Sequence, residues 1–133
     1  MSTASQVDYD FAVLRVVPRV HLGAFVNVGV VLHARAAERL AMRVLTDVAT
    51  LARRLPGLDA ELLARYLRSC EAISAGDPAA GPVALAPPSE RFHWLTAPRS
   101  DVLQSSPIHE GVCSDIASEL EKLYGEYVGA DFS

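Results

Sequence analysis

Hydrophobic and β-branched residues are concentrated in the first third of the chain, in three runs separated by short polar segments. The runs YDFAVLRVVPRV (9–20), FVNVGVVLHA (25–34) and RLAMRVL (39–45) are typical of β-strands. Pro18 is expected at the end of the first strand, because proline donates no hydrogen bond to a sheet. The connections between the runs are short, so we predict an antiparallel meander.

The spacing of apolar residues becomes helical after the third run. Asp47 is expected to cap a short helix, VATLARRL, which Pro56 and Gly57 end. Asp59 is expected to cap a longer helix, ELLARYLRSCEAIS. Its apolar face would contain Leu62, Leu63, Tyr66, Leu67, Cys70 and Ile73. The last element, SDIASELEKLYGEYV, predicts a C-terminal helix. Its apolar face would contain Ile116, Leu120, Leu123 and Tyr127.

The remaining segment carries weaker signals. A Pro/Gly/Ala-rich linker occupies residues 76–88, and Ser89 is expected to cap a helical turn over 90–95, with a strand as the alternative. DVLQSSP (101–107) predicts a fourth strand. We therefore predict one α+β domain over residues 1–133, with loose order at about 1–7 and 129–133. Its antiparallel sheet, the three-strand N-terminal meander plus the later strand, is covered on one face by helices that include the C-terminal helix.

Strand alternation assigns the residues of the meander to two faces. The apolar face would hold Ala12, Leu14, Val16, Val26, Val28, Val30, Leu32, Leu40, Met42 and Val44. The opposite face would hold Arg15, Arg19, Asn27, Gly29, His33 and Arg43, mixed with apolar residues. This second face is either a cationic groove for an anion or carboxylate, or a face that is solvated or paired with the acidic tail. Gly29 would allow another backbone to approach closely.

Charge is distributed unevenly in a chain of 133 residues with a net charge of −4. Nine arginines and four acids lie from Arg15 to Arg68, whereas six acids and only Lys122 lie from His109 to Ser133. These regions could pair within one molecule or between the subunits of a homodimer. The net charge makes nucleic acid an unexpected partner.

No run of 18 apolar residues and no secretory signal is present, so we expect no membrane association. Cys70 and Cys113 are far apart and lack the spacing of metal ligands. We expect both to be small buried hydrophobic residues in a reducing, cytoplasmic setting.

The segment ERFHWLTAPRSDVLQSSPIHEG (90–111) concentrates polar and aromatic side chains without a clear period. Ser105 or Ser106 with His93 or His109 could form a nucleophile and base, but no G-x-S-x-G motif is present. A metal site from His93, Asp101, His109 and Cys113 has no recognised spacing. A glycine-rich phosphate loop is also missing. We predict no catalytic residue, no metal and no cofactor.

Two interpretations of this segment remain. Arg91 and Arg99 flank Trp94, and an arginine–aromatic surface of this kind suits a protein interface. Alternatively, the segment is an ordered loop whose apolar side chains fill the core while its polar groups satisfy the backbone.

Several long stretches carry a resemblance to a known family. DYDFAVLRVVPRV, FVNVGVVLHA, GDPAAGP and SERFHWLTAPRSDVLQSSPIHEG, followed by Cys113, resemble in that order the bacterial family catalogued as domain of unknown function 3037. The resemblance extends from about Tyr9 to about Tyr127. It implies no activity and no catalytic residue. It does imply a companion role, because the genes of such proteins often lie beside genes for HipA-like kinases.

The motif-like positions of the family coincide with the polar strand face and the segment 90–111. We infer that the two regions meet and form one binding surface. Its candidate residues are Arg15, Arg19, Asn27, His33, Arg91, His93, Trp94, Arg99, Gln104, Ser106 and His109. The expected function is that of a small cytoplasmic accessory protein without catalysis, acting through a protein partner such as a HipA-like kinase. The alternative is binding or turnover of an anionic small molecule at an Arg/His-lined surface, with Arg15, Arg19, Arg91 and Arg99 on the anion and His109 as acid or base.

Overall fold

A computed structural model describes residues 6–19, 24–97 and 103–129. Along the described parts of the chain, three strands are followed by three α-helices, two further strands and a last α-helix. The strands are β1 (Val7–Arg19), β2 (Ala24–Ala34), β3 (Arg39–Val44), β4 (Leu103–Ser105) and β5 (His109–Cys113). The α-helices are α1 (Val48–Arg54), α2 (Ala60–Ser74), α3 (Pro88–Thr96) and α4 (Ile116–Tyr124). Short 3₁₀ turns at Pro78–Ala80 and Pro82–Leu85 occupy the linker, and a π-helical segment, Gly125–Gly129, continues α4.

Local sequence explains where these elements begin. The Asp47 and Asp59 carboxylates accept hydrogen bonds from the backbone N–H groups of Thr50 and Leu62, which confirms both predicted caps. Asp115 caps α4 in the same way. The predicted turn at 90–95 is a helix, but it begins with Pro88, so Ser89 does not cap it.

The sheet is antiparallel and is built around β1. In the described part of the chain the strand order is β3-β2-β1-β4, and β5 also pairs with β1. The strand β1 has 13 residues, so one of its edges pairs with β5 near Tyr9 and with β4 near Arg15. The predicted meander and fourth strand are confirmed, whereas β5 falls in a segment that we had expected to be irregular. Much of the polar segment 90–111 is thus a helix and two strands.

A β-bulge in β2 changes the predicted faces. Leu14 pairs with Gly29, but the next residue, Arg15, pairs with Asn27, so Val28 is an extra residue in the ladder. Asn27 therefore shares a face with Arg15, whereas Gly29 lies on the opposite face. The prediction that Val28, Val30 and Leu32 share one face, and that Asn27 and His33 share the other, is wrong because strict alternation does not continue across a bulge.

One face of the sheet, which we call the α2 face, carries Ala12, Leu14 and Val16. The helices α1, α2 and α3 pack on it with buried side chains. These are Leu51 from α1, Ala64, Leu67, Cys70 and Ile73 from α2, and Phe92 and Leu95 from α3. This is the apolar core that the sequence predicted, although Leu62 is exposed.

The other face, which we call the α4 face, carries Tyr9, Phe11 and Val13. It forms a second core with Ile116, Leu120, Leu123, Tyr124 and Val128. The predicted α+β class and C-terminal helix are confirmed, but helices cover both faces of the sheet and not one. Tyr127 is exposed because the wider π-helical turn places Val128 towards the core instead.

The arginine-rich region from Arg15 to Arg68 and the acidic C-terminal region meet within one molecule. Arg43 on β3 forms an ion pair with Glu121 on α4, and its guanidinium lies 4.3 Å from the centre of the Tyr124 ring. Arg54 donates a 2.8 Å hydrogen bond to the carbonyl of Val128. Cys70 and Cys113 are both buried, as predicted. Among the described residues, no helix has the length and apolar character needed to cross a membrane.

Gly29 provides a test of this packing. A Cβ added there would lie 2.9 Å from Val44 Cγ1 and 3.2 Å from the carbonyl oxygen of Arg43. We expect Gly29→Ala to lower the free energy of unfolding by about 1–3 kcal/mol, measured by urea denaturation, because the added methyl overpacks the β2–β3 contact.

Gly125→Ala is the control for the Gly29 variant. A Cβ at Gly125 meets no atom within 4 Å, and the residue has a helical φ of −61°. The control should be neutral or slightly stabilising. Equal stability of Gly29→Ala and the wild type would contradict the close approach of β2 and β3.

Candidate functional site

The α4 face is less covered around Arg15, where β1 pairs with β4, because α4 packs mainly on β2 and β3. In this region the Arg15 guanidinium lies 4.4 Å from the centre of the Phe25 ring. Phe25 is 50 % exposed, although it is a large apolar residue. A guanidinium over an aromatic face is a favourable cation–π arrangement, and it holds the Arg15 charge at the surface of the sheet.

Four further residues extend this region. Gln104 on β4 and Asn27 on β2 are the direct pairing partners of Arg15. The Asn27 side-chain amide donates a 3.0 Å hydrogen bond to the carbonyl of Tyr127. The rings of His109 and Tyr127 both pack against Phe11, with centroids 5.1 Å and 5.8 Å away. We call this set the Arg15 stripe. It consists of Arg15, Phe25, Asn27, Gln104, His109 and Tyr127.

Within this stripe, Arg15 has a hydrogen-bond donor that lacks an acceptor. Its Nε is buried and has no hydrogen-bond partner within the described residues. No ion pair between residues 6–19, 24–97 and 103–129 involves Arg15. A carboxylate placed over the guanidinium would supply the charge-assisted hydrogen bonds that Arg15 lacks among the described residues.

Ser106 has a structural role. Its Oγ accepts a 2.9 Å hydrogen bond from the N–H of Val13, and its own N–H donates to the carbonyl of Val13. These contacts attach the β4–β5 connection to β1 and place His109 on the α4 face. The Ser106 Oγ also donates to the carbonyl of Pro107, so the geometry gives no support to a nucleophilic serine.

The three candidate residues of α3 lie elsewhere, because α3 packs on the α2 face. Arg91 donates to the carbonyls of Ala86 and Ser74 and so links α3 to the linker and to the end of α2. Trp94 is half-buried against the α2-face core, and His93 is exposed. The expectation of one continuous surface is therefore wrong for Arg91, His93 and Trp94.

Two other candidate residues, Arg19 and Arg99, are not fully described by the structure. Arg19 ends β1, and its backbone pairs with Ala24, but its side chain lies outside the described set. Arg99 lies outside the described residues altogether.

His33 lies on the α2 face and not in the Arg15 stripe. The residue is only 4 % exposed, and its ring stacks on Phe92, with ring centroids 5.2 Å apart. It lines an open cavity of about 690 Å³ together with Asp8, Asp10, Arg35 and Glu110. A smaller adjoining cavity of about 310 Å³ shares His33 and Arg35 and reaches Glu38 and the linker at Pro87.

The carboxylates of this cavity are not among the predicted site residues. Alternation in β1 already places Asp8 and Asp10 on the same face as Ala12, so the signal was present. Glu110 and His33 could not be added to them, because β5 was not predicted and the bulge reverses the face of His33.

Burial is the main reason that the pKa of His33 is lowered below its ordinary value. The positive charge of Arg35 lowers this pKa further, whereas Asp10 acts in the opposite direction. The imidazole is therefore neutral at pH 7 and retains a nitrogen that can accept a hydrogen bond.

Metal ligation and thiolate chemistry can both be checked among the described residues. Among the described residues, no group of three or more His, Cys, Asp or Glu side chains could hold a metal ion. Burial raises the pKa of the Cys113 thiol, which disfavours the nucleophilic thiolate form. Asp101, the remaining candidate ligand, lies outside the described part.

These features define an α+β protein with an antiparallel sheet between two helical layers. The family model described as "Protein of unknown function (DUF3037)" matches residues 11–128. The chain belongs to this family. No curated protein and no solved structure matches it.

The lowered pKa of His33 predicts a dependence of stability on pH. The imidazole of an unfolded chain titrates near about 6.5. As the pH falls below this value, the unfolded chain takes up a proton that the folded protein does not, so stability is lost until the lower folded pKa is reached. We expect the free energy of unfolding to decrease more between about pH 7.5 and about pH 5.5 in the wild type than in His33→Gln.

His93→Gln is the matched control, because His93 is exposed on α3. Urea denaturation at both pH values should give this variant the same pH dependence as the wild type. If His33→Gln also keeps the wild-type pH dependence, His33 is not a neutral, buried group.

Proposed function

We propose that this protein is a non-catalytic binding protein that acts through a protein partner, with the Arg15 stripe as the contact surface. The observation that carries the proposal is the cation–π pair of Arg15 with the exposed Phe25, on the face of the sheet that also carries Tyr127. Phe25 is 50 % and Tyr127 41 % exposed, in a chain that buries most other aromatic groups described. Aromatic residues and arginine are the residue types that contribute most to binding at protein interfaces.

The stripe combines an apolar centre with polar groups around it. Phe25 and Tyr127 supply exposed aromatic area, while Asn27, Gln104 and His109 supply hydrogen-bonding groups nearby. The sheet and the π-helical segment hold these residues on regular elements, so little side-chain ordering is needed on binding. This arrangement favours a preformed contact surface for a folded partner.

The charge of Arg15 defines the chemistry of the partner. A carboxylate of the partner placed over Arg15 would accept hydrogen bonds from the accessible N–H groups of the guanidinium and balance its charge, which no described residue balances in an ion pair. A HipA-like kinase is the partner that the family resemblance implies, and it is the first protein to test. We further propose a cytoplasmic location, because two distant, buried cysteines give no support to a disulfide framework. A second copy of the chain is an alternative occupant of the stripe.

A second candidate function is the binding of an anionic small molecule. The Arg15 guanidinium favours it, because no ion pair among the described residues balances its charge and a phosphate or carboxylate could do so. In this case Gln104 and His109 would provide the neighbouring polar contacts. Thermal stabilisation by millimolar carboxylates or phosphates, lost on substitution of Arg15, would favour this function over the first.

The experiment for the first function is a pull-down with tagged protein, followed by titration of any partner with purified components. We expect Phe25→Ala and Tyr127→Ala each to weaken the complex by about thirtyfold or more, the effect typical of aromatic residues central to an interface. A purified HipA-like kinase from the same genome should be titrated in parallel.

Leu62→Ala is the control, since Leu62 is an exposed apolar residue (57 %) on α2, which packs on the opposite face of the sheet. This variant should bind as the wild type does. A partner that binds all three variants with equal affinity would show that the Arg15 stripe is not its contact surface.

The variant Arg15→Met tests whether Arg15 contributes to partner binding or to the stability of the fold. The substitution removes the unsatisfied Nε but keeps an unbranched apolar stem over Phe25, so stability should remain within about 1 kcal/mol of the wild type or increase. Partner affinity should fall by about tenfold or more, measured by calorimetric titration. Loss of stability with unchanged affinity would assign Arg15 a structural role instead.

A further inference from the structure

A row of polar residues crosses three strands on the α2 face. Glu110 on β5 is directly opposite Asp10 on β1, and Asp10 is directly opposite His33 on β2. Directly opposite residues of an antiparallel pair have Cβ atoms about 4.5–5.5 Å apart, so all three side chains are neighbours. Asp8 adds a third carboxylate to the same cavity.

This row is electrostatically unfavourable as it stands. Two carboxylates directly opposite each other on one face of a sheet repel, and this repulsion destabilises strand pairing. Arg35 lines the same cavity, yet no ion pair of 4.0 Å or less among the described residues joins it to Asp8, Asp10 or Glu110. The cavity therefore contains three acidic groups and one basic group, without direct pairing between them.

His33 is an independent indication of a ligand. The residue is 4 % exposed and lines the cavity. Its imidazole nitrogens are not among the sealed, unpartnered side-chain atoms of the described residues, so the ring can offer an acceptor to a group in the cavity. Because the imidazole is neutral, it can accept a hydrogen bond from an N–H donor in the cavity and does not repel a cation there.

The arrangement determines the chemical class of the ligand. The described acidic groups do not converge on one point closely enough to hold a metal ion. A group with several N–H donors can instead contact carboxylates and an imidazole that lie side by side. The cavity of about 690 Å³ is within the range of small-molecule sites.

The geometry points to a binding site for an organic cation, a guanidinium or ammonium group, in the cavity formed by Asp8, Asp10, His33 and Glu110. The cation lies between the Asp10 and Glu110 carboxylates and donates a hydrogen bond to His33. The group belongs either to a small amine or to a basic side chain of a peptide. This site is on the opposite face of the sheet from the Arg15 stripe and does not depend on it.

The test is a titration of the isotopically labelled protein with agmatine, monitored by NMR at constant ionic strength. An arginine-containing peptide is titrated separately to distinguish the two sources. We expect saturable shifts at Asp10, His33 and Glu110 with at least one probe at millimolar concentration. Glu110→Gln should weaken binding by about tenfold or more, because it removes a charge-assisted contact.

Two further variants keep the result interpretable. Asp10→Asn should weaken binding in the same way, and in the absence of ligand both substitutions should leave the melting temperature unchanged or raise it, because they relieve repulsion. Glu61→Gln, an exposed change on α2, should bind as the wild type does.

Three outcomes would overturn the assignment. The first is the absence of saturable binding for both probes, and the second is unchanged affinity in Asp10→Asn and Glu110→Gln. The third is saturation of the same residues by Mg²⁺ or Ca²⁺ alone, which would identify a metal site instead. Binding of the peptide but not of agmatine supports the site and assigns the cation to a peptide.

Discussion

The β-bulge at Val28 is the constraint on which both candidate sites depend. It inserts one residue into β2 opposite the Leu14–Arg15 step of β1, and this reverses the side to which the residues before and after it point. Asn27 therefore lies beside Arg15 on the α4 face, while His33 lies beside Asp10 on the α2 face. Without the bulge, His33 would lie on the same face as Asn27, and neither the Arg15 stripe nor the acidic cavity would have its present composition.

The bulge acts together with the length of β1. Its 13 residues pair with β2 along one edge and leave enough length on the other edge for both β4 and β5. The connection between those two strands is attached to β1 by the hydrogen bonds between Ser106 and Val13. As a result Gln104 joins Arg15 on one face, and Glu110 joins Asp10 on the other.

Helix placement then determines which parts of each face stay open. On the α4 face, the Arg43–Glu121 ion pair and the Tyr124 contact keep α4 over β2 and β3. The π-helical turn brings Tyr127 to the surface next to Asn27. On the α2 face, α3 covers the sheet as far as His33, on which its Phe92 stacks. Asp8 and Asp10 lie beyond this contact and line the open cavity. The uncovered area of each face thus differs in charge, with an arginine on one and carboxylates on the other.

Much of the fold could be predicted from the sequence, because strand runs, aspartate caps and helical spacing are local signals. The caps Asp47 and Asp59 and the three strands of the meander are examples. The bulge has no such signal in FVNVGVV, since its apolar residues alternate equally well in either register. The second helical layer also could not be predicted, because SDIASELEKLYGEYV shows an apolar face without indicating which side of the sheet it covers. The sequence of α3 likewise does not indicate which side of the sheet this helix covers. The prediction therefore placed Arg91 and Trp94 on one surface with Arg15, although they lie on opposite faces of the sheet.

Nuclear Overhauser spectroscopy of the aromatic and amide side chains would test this division of the two faces most directly. The bulge predicts cross-peaks between the rings of His33 and Phe92, and between the side-chain amide of Asn27 and residues next to Tyr127. Cross-peaks from His33 to Leu120 or Leu123 would place it on the α4 face. That result would contradict the bulge at Val28, and with it the positions of both candidate sites.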